Sequence, residues 1–312
     1  MKDVTKVFSA ALAAFALTLA AGPAAADGLA ARTAQIPAAA RASLSAAIAS
    51  DRAARPAAYR AVLEVRGVRP EVYRTFRNPL PNAAPELRAM GADALLPMLA
   101  ALAFDAPAAQ RSEGERLALT AGMVEAVGLL RDARSGPVLL AALENASKEP
   151  VLARAAAEAM GRLCGDPELS ALERHGATGD SLREAAIRGL GACRRVEAAS
   201  YLAGALAGAS DDATAMLVAD ALGVQGSSWA WKAMGPSAEP TGLAIREVAA
   251  RALVDAFPRR TGDAQARIGR SILLVEHPVS TELLLRARAS ARPEVQASID
   301  ALQKQLERRL AH

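Results

Sequence analysis

Apolar residues in this chain recur with a helical period nested inside a longer period of about thirty residues. A small-apolar-Gly tripeptide marks the longer one: Ala89-Met90-Gly91, Ala126-Val127-Gly128, Ala159-Met160-Gly161, Gly189-Leu190-Gly191, Ala221-Leu222-Gly223 and a decayed Ala252-Leu253-Val254. Successive marks lie 37, 33, 30, 32 and 31 residues apart. With the last residue of each as zero, position −1 is apolar throughout: Met90, Val127, Met160, Leu190, Leu222 and Leu253. Position −4 is Leu87, Val124, Ala157, Ile187, Ala219 and Ala250, also uncharged, and position −2 is only Ala or Gly. Position −3 is charged every time: Arg88, Glu125, Glu158, Arg188, Asp220 and Arg251. This spacing predicts one dry and one wet face on a helix, the wet column of the third repeat being Arg154, Glu158 and Arg162. Each signature glycine is expected to close its helix in a left-handed turn.

Between the marks lie second apolar runs at Ala94–Ala103, Val138–Leu143, Leu169–Leu172 and Val196–Ala207, set off by turns such as Gly165-Asp166-Pro167. Asp180 and Ser181 before Leu182, with Glu184 three after Ser181, predict a capped helix start. Each unit is then a helix pair that cannot bury its apolar face alone, so the pairs must stack. The expected fold class is all-α, an α-solenoid (superhelix) of about six helix pairs.

The stretches Leu152–His175 and Ser181–Leu206 resemble HEAT repeats of the short, phycobilisome lyase type, and the resemblance extends over roughly Leu80 to Arg288. It implies that the helix carrying the signature lines the inner, concave side. It also implies a polar ladder between repeats, in which Arg183 and Arg246 are the helix-start arginines and Asp180 and Asp212 their acidic partners. The first and third repeats lack that arginine. Related repeat enzymes that bind two irons use His-Glu dipeptides in several repeats, whereas this chain has the single reversed pair Glu276-His277. Neither that activity nor bilin-lyase chemistry is carried over.

The ends depart from the repeat, as solenoid caps do. Residues 27–82 contain Pro37, Pro56, Pro70, Pro79 and Pro81 among short helical stretches, with Tyr59, Tyr73 and Phe76. They are expected to form an irregular N-terminal cap whose first dozen residues are loose. The repeat array is assigned to 83–290. Over 291–312, Val295, Ile299, Leu302, Leu306 and Leu310 predict one amphipathic closing helix.

Residues 1–26 have the order of a secretory signal: Lys2 and Lys6, the apolar stretch Val7–Ala21, then Gly22-Pro23 and Ala24-Ala25-Ala26. Cleavage is expected after Ala26, giving a periplasmic or secreted chain. The stretch is too short to cross a bilayer, and no later one is long and apolar enough, so no integral span is expected after cleavage.

Composition narrows the picture further. About one residue in four is alanine, aromatics make up 3% and apolar residues 52%, which excludes disorder as the main state and argues against an all-β fold. The net charge of +4 resides in the Arg-rich stretch Arg41–Arg88, and export argues against nucleic acid as partner. His175, His277 and His312 stand far apart without metal-ligand spacing, and no nucleophile elbow, phosphate loop or C-x-x-C occurs, so no catalytic residue, metal or cofactor is assigned. The cysteines, Cys164 and Cys193, occupy positions +3 and +2 of consecutive repeats. In an exported chain they suggest one structural bridge, with two buried thiols as the alternative, because side-by-side helices lie 8–10 Å apart.

Trp229 and Trp231 sit beside Lys232 in the Gly/Ser/Pro-rich interruption Gly226–Gly242. They offer a partner-binding anchor. Alternatively one fills space where the outer helix of this repeat is shortened, the other remaining accessible.

The expected role is a non-enzymatic scaffold that binds another protein or peptide of the cell envelope through Arg88, Glu125, Arg154, Glu158, Arg188, Asp220 and Arg251. Alternatives are a lyase, isomerase or other small-ligand binder using the concavity, and a binder of anionic envelope polymer through Arg52–Arg77 with Trp229 and Trp231.

Overall fold

The computed structural model describes residues 27–66, 83–105 and 112–311, and all regular structure among them is helical. The expected signal at 1–26 lies outside the described residues, as does the part of the N-terminal cap holding Tyr73 and Phe76. Two helices, α1 (Ala38–Ala54) and α2 (Pro56–Glu64), come first. The pairs follow: α3 (Ala84–Ala89) with α4 (Leu95–Ala103), α5 (Glu113–Leu130) with α6 (Gly136–Asn145), and α7 (Pro150–Leu163) with α8 (Asp166–Ala177). Next are α9 (Arg183–Ala192) with α10 (Val196–Ala207), then α11 (Asp212–Gln225), the short α12 (Ser228–Met234) and α13 (Glu239–Ala256). Helices α14 (Gly262–Val275) and α15 (Val279–Ser290) form the last pair, and α16 (Pro293–Leu310) closes the array.

The pairs stack into two rows. Helices α3, α5, α7, α9, α11 and α14 lie side by side in the first row, and α4, α6, α8, α10, α13 and α15 in the second. This is an α-solenoid. Between the rows runs one continuous core that takes in the −4 and −1 positions: Leu87, Val124, Val127, Met160, Ile187, Leu190 and Leu222 are all fully buried. In α16 the stripe Val295, Ile299, Leu302 and Leu306 is buried, while Leu310 at its end stays accessible.

The signature glycines do something other than end helices. Only Gly91 has a positive φ, 72°, just after α3. Gly128, Gly161, Gly191 and Gly223 lie inside their helices, and the left-handed residues come three later, at Arg131 and Cys164. A Cβ on Gly128 would stand 2.5 Å from that of Ala159, and one on Gly161 would collide with the Gly189 carbonyl oxygen. A Cβ on Gly191 would lie 2.9 Å from Ala221. From α5 to α11 neighbouring first-row helices thus approach to backbone or methyl contact, and the 0 position of one meets the −2 position of the next, whereas Gly91 has nothing within 4 Å.

That rule corrects the sixth repeat. Gly223 faces Ser271, 2.9 Å from its would-be Cβ, so position −2 of the next first-row helix is Ser271 in α14. Ala252-Leu253-Val254 sits instead in α13, which packs beside α10 and α15 in the second row. Helix α12 is an insertion between α11 and its partner, and the usual spacing of the decayed tripeptide is accidental. The outer helix of this repeat is not shortened either, since α13 runs 18 residues.

The beginning of the chain also differs from expectation. Residues 28–36 are pinned, not loose: Leu29 N donates to Ala101 O at 2.9 Å, Ala30 N and Ala31 N to Leu102 O, and Thr33 Oγ1 to Ala103 O at 2.6 Å. The last carbonyls of a helix have no partner within it, and burial of α4 removes water as an alternative. The N-terminal segment supplies the missing donors, and Gly28 passes so close to Ala103 N that no Cβ fits. At α9 the cap is simpler than the expected box: the Asp180 carboxylate accepts from Leu182 N at 2.9 Å, and the helix starts at Arg183.

Cys164 and Cys193 form a disulfide with Cα atoms 5.4 Å apart. The left-handed turn at Cys164 and the extended backbone at Cys193 let the chains converge past the ends of α7 and α9. The glycine contact has already drawn those helices together.

Three outcomes are expected for stability. Gly161→Ala is expected to destabilise by about 1–3 kcal/mol through overpacking, although alanine is the better helix former. Gly204→Ala in α10, where nothing lies within 4 Å of the new methyl, is expected to stabilise by up to ~1 kcal/mol. Urea unfolding of both variants checks this, and shifts of the same sign would refute the close-approach account. Opening the disulfide is expected to cost about 3–4 kcal/mol, read from the same curves with and without reductant.

Candidate functional site

Arg131 and Arg194, from the turns after α5 and α9, and Glu158, Arg188 and Asp220 of the −3 column help to frame one groove. Its cavity measures about 420 Å³ and draws on α5, α7, α9 and α11. Leu129, Ala192, Ala221 and Val224 give it an apolar floor, and Val224 is 51% exposed. Around the floor stand Arg131, Arg154, Arg162, Arg188 and Arg194, against only two carboxylates, Glu158 and Asp220.

Four of the expected partner-binding residues therefore meet in one place: Arg154, Glu158, Arg188 and Asp220. They are already engaged with one another or with neighbours. Glu158 pairs with Arg154 at 2.8 Å and with Arg162 at 3.5 Å, and Arg188 with Glu184 at 2.9 Å. Asp220 reaches across to Arg267 on α14 at 3.1 Å. Arg88 and Glu125 lie in the same row, on α3 and α5, but do not line this cavity. Arg251 is separated from the column altogether, because α13 belongs to the second row, where Arg251 pairs with Glu247 at 2.7 Å.

Sequence reasoning passed over Arg131 and Arg194. Both occupy position +3 after a signature glycine, where the helix has ended and a long side chain turns back over the groove. Arg194 is half-buried and donates to the carbonyl oxygens of Val224, at 3.3 Å, and Gln225. Its guanidinium lies 5.1 Å from the Trp231 ring centroid. Burial, and after it the nearby charge of Arg131, hold the Arg194 pKa below its ordinary value.

The two tryptophans part company. Trp231 is only 6% exposed, packed with Ala199 and Ile245, and its Nε1 donates to Gln225 O at 2.8 Å. Trp231 is thus largely covered by the protein itself. It fixes the α11–α12 junction and backs Arg194. Trp229 is 76% exposed. Residues two apart on a helix point to different faces, and in α12 only the Trp231 face is covered.

The inter-repeat polar ladder departs from its expected pattern. Arg183 donates to Thr214 Oγ1 at 3.2 Å, and Arg246 to the carbonyl oxygens of Val275 and Glu276 at 3.0 and 2.6 Å. Asp212 pairs with Arg260 at 2.9 Å, not with a helix-start arginine. His175 contacts Asp180 at 3.3 Å, and His277 accepts from Val279 N at 3.2 Å. Burial and then the Arg246 charge keep the His277 imidazole below its ordinary pKa. In the N-terminal basic stretch, Arg52 pairs with Asp105 and lies 4.5 Å from the Tyr59 ring centroid, while Arg55 pairs with Asp51 and with Asp93. Arg69, Arg74 and Arg77 lie outside the described residues. Among the described residues no helix is long and apolar enough to cross a membrane, and no three His, Cys, Asp or Glu side chains are grouped to hold a metal.

No protein-family model matches the chain, and no curated protein matches it. Among solved structures, that of human deoxyhypusine hydroxylase in complex with glycerol is similar over 83% of this chain and 98% of that one, with 15% identity and a TM-score of 0.31.

Proposed function

We propose that this chain is a non-enzymatic, HEAT-like scaffold of the cell envelope that docks another protein in the groove of its first-row helices. One observation carries the reading: four consecutive helices of that row turn charged side chains and an apolar floor into a single open cavity. A stacked array is stiff along its length, because each pair is held by its neighbours, so such a groove is preorganised for an extended partner. The mixed signs of Arg154, Glu158, Arg188 and Asp220 suit a protein surface, which offers both signs in register. The disulfide fits an oxidising compartment, as the signal-like order of residues 1–26 does.

A photo-crosslinking side chain placed at Arg154 is expected to capture a discrete protein in cells, while one placed at Glu282 on α15 captures none. Glu158→Arg should abolish that capture with the thermal melt unchanged. Equal capture at both positions, or capture that survives the reversal, would count against groove docking. In fractionated cells the protein is expected in the periplasmic fraction with the intact mass of a chain beginning at Asp27; a chain retaining residues 1–26 in the cytoplasmic fraction would remove the envelope assignment.

A further inference from the structure

Pairing the charges around the groove leaves a remainder. Glu158 serves both Arg154 and Arg162, Arg188 is taken by Glu184, and Asp220 by Arg267. Among the described residues no carboxylate pairs with Arg131, and Arg194 contacts the carbonyl oxygens of Val224 and Gln225 and the Trp231 ring. One terminal nitrogen of Arg162 is shielded from solvent without a hydrogen-bond partner. These three arginines belong to the same end of the row, where α5, α7 and α9 terminate. Beside them lie Leu129 and the exposed Val224.

Arginines gathered on a partly dry wall, with the single carboxylate of Glu158 shared between Arg154 and Arg162, leave an excess of positive charge that favours an anion there, and guanidinium forks hold a carboxylate through paired hydrogen bonds. Glu158, which pairs with Arg162, and Asp220 face the same cavity and would repel a chain of continuous negative charge. The chemistry therefore fits one isolated carboxylate accompanied by an apolar group.

Resting on the docking role above, we propose that this end of the groove recognises a partner's peptide segment in which an acidic side chain adjoins an aliphatic one. The carboxylate sits among Arg131, Arg162 and Arg194, and the aliphatic side chain rests on the apolar floor of the groove.

The test uses the full chain and a fluorescein-labelled peptide, Gly-Ser-Glu-Leu-Ser-Gly amide, followed by anisotropy at low salt. Replacing the peptide glutamate by glutamine, or its leucine by serine, is expected to weaken binding about tenfold each. Arg131→Asn, which tolerates the left-handed backbone at φ 54°, and Arg162→Gln should each weaken it by a similar factor. Arg286→Gln on α15 should leave it unchanged. Equal binding of the glutamate and glutamine peptides to the unaltered protein overturns the proposal even where an arginine variant fails to fold. A heparin fragment that binds tighter than the peptide, and loses affinity with the same substitutions, overturns it in favour of a polyanion. If no peptide binds while the Arg154 crosslink persists, this inference alone falls; loss of that crosslink removes the docking role itself.

Discussion

Direct contact between backbones in the first row governs this molecule. Where Gly161 meets Gly189 no side chain separates the helices, and where Gly128 meets Ala159 only a methyl does. That approach demands glycine at one position and glycine, alanine or serine at the facing one, repeated down the row. It explains why a chain so rich in alanine still has a specific architecture, since small residues here set distances as much as they fill space. It also explains how Cys164 and Cys193 come within bonding reach although ordinary packed helices stand too far apart.

Close packing at the contacts pushes long side chains to the faces between them. The −3 positions and the residues just past the helix ends are the places where a large polar group fits, and both carry arginine. In the groove these two sets meet, with Arg154 and Arg188 from the helix bodies and Arg131 and Arg194 from the turns. Trp231 joins this arrangement from behind. By packing against α13 and holding the α11–α12 turn, it gives Arg194 an aromatic surface to lie on and limits the directions in which that cation can swing.

The two-scale apolar pattern made the pairing, the buried positions and the closing helix α16 readable from the residues alone, because burial of Leu190, Leu222 and Ile299 follows directly from a helical period. The role of the glycines was not readable in the same way: a glycine near a helix end serves equally as a left-handed cap or as a contact point, and only Gly91 turned out to be the former. The sixth repeat misled because the spacing of Ala252-Leu253-Val254 imitates the true one, whereas its register against Gly223 is a three-dimensional fact. Of the groove, the −3 column was legible through its unbroken run of charge. Arg131 and Arg194 were not, as turn arginines outside the periodic positions carry no signal until the helix ends are placed side by side.

The attachment of residues 28–33 to the end of α4 has a kinetic meaning. Nearly every other pairing in a stacked array joins neighbours in sequence, so such arrays assemble through short loop closures. Thr33 and Ala103 are 70 residues apart, and the carbonyls of α4 stay open until that distance is spanned. The first pair is thus completed only by contacts distant in sequence, so this edge of the array depends least on local closure.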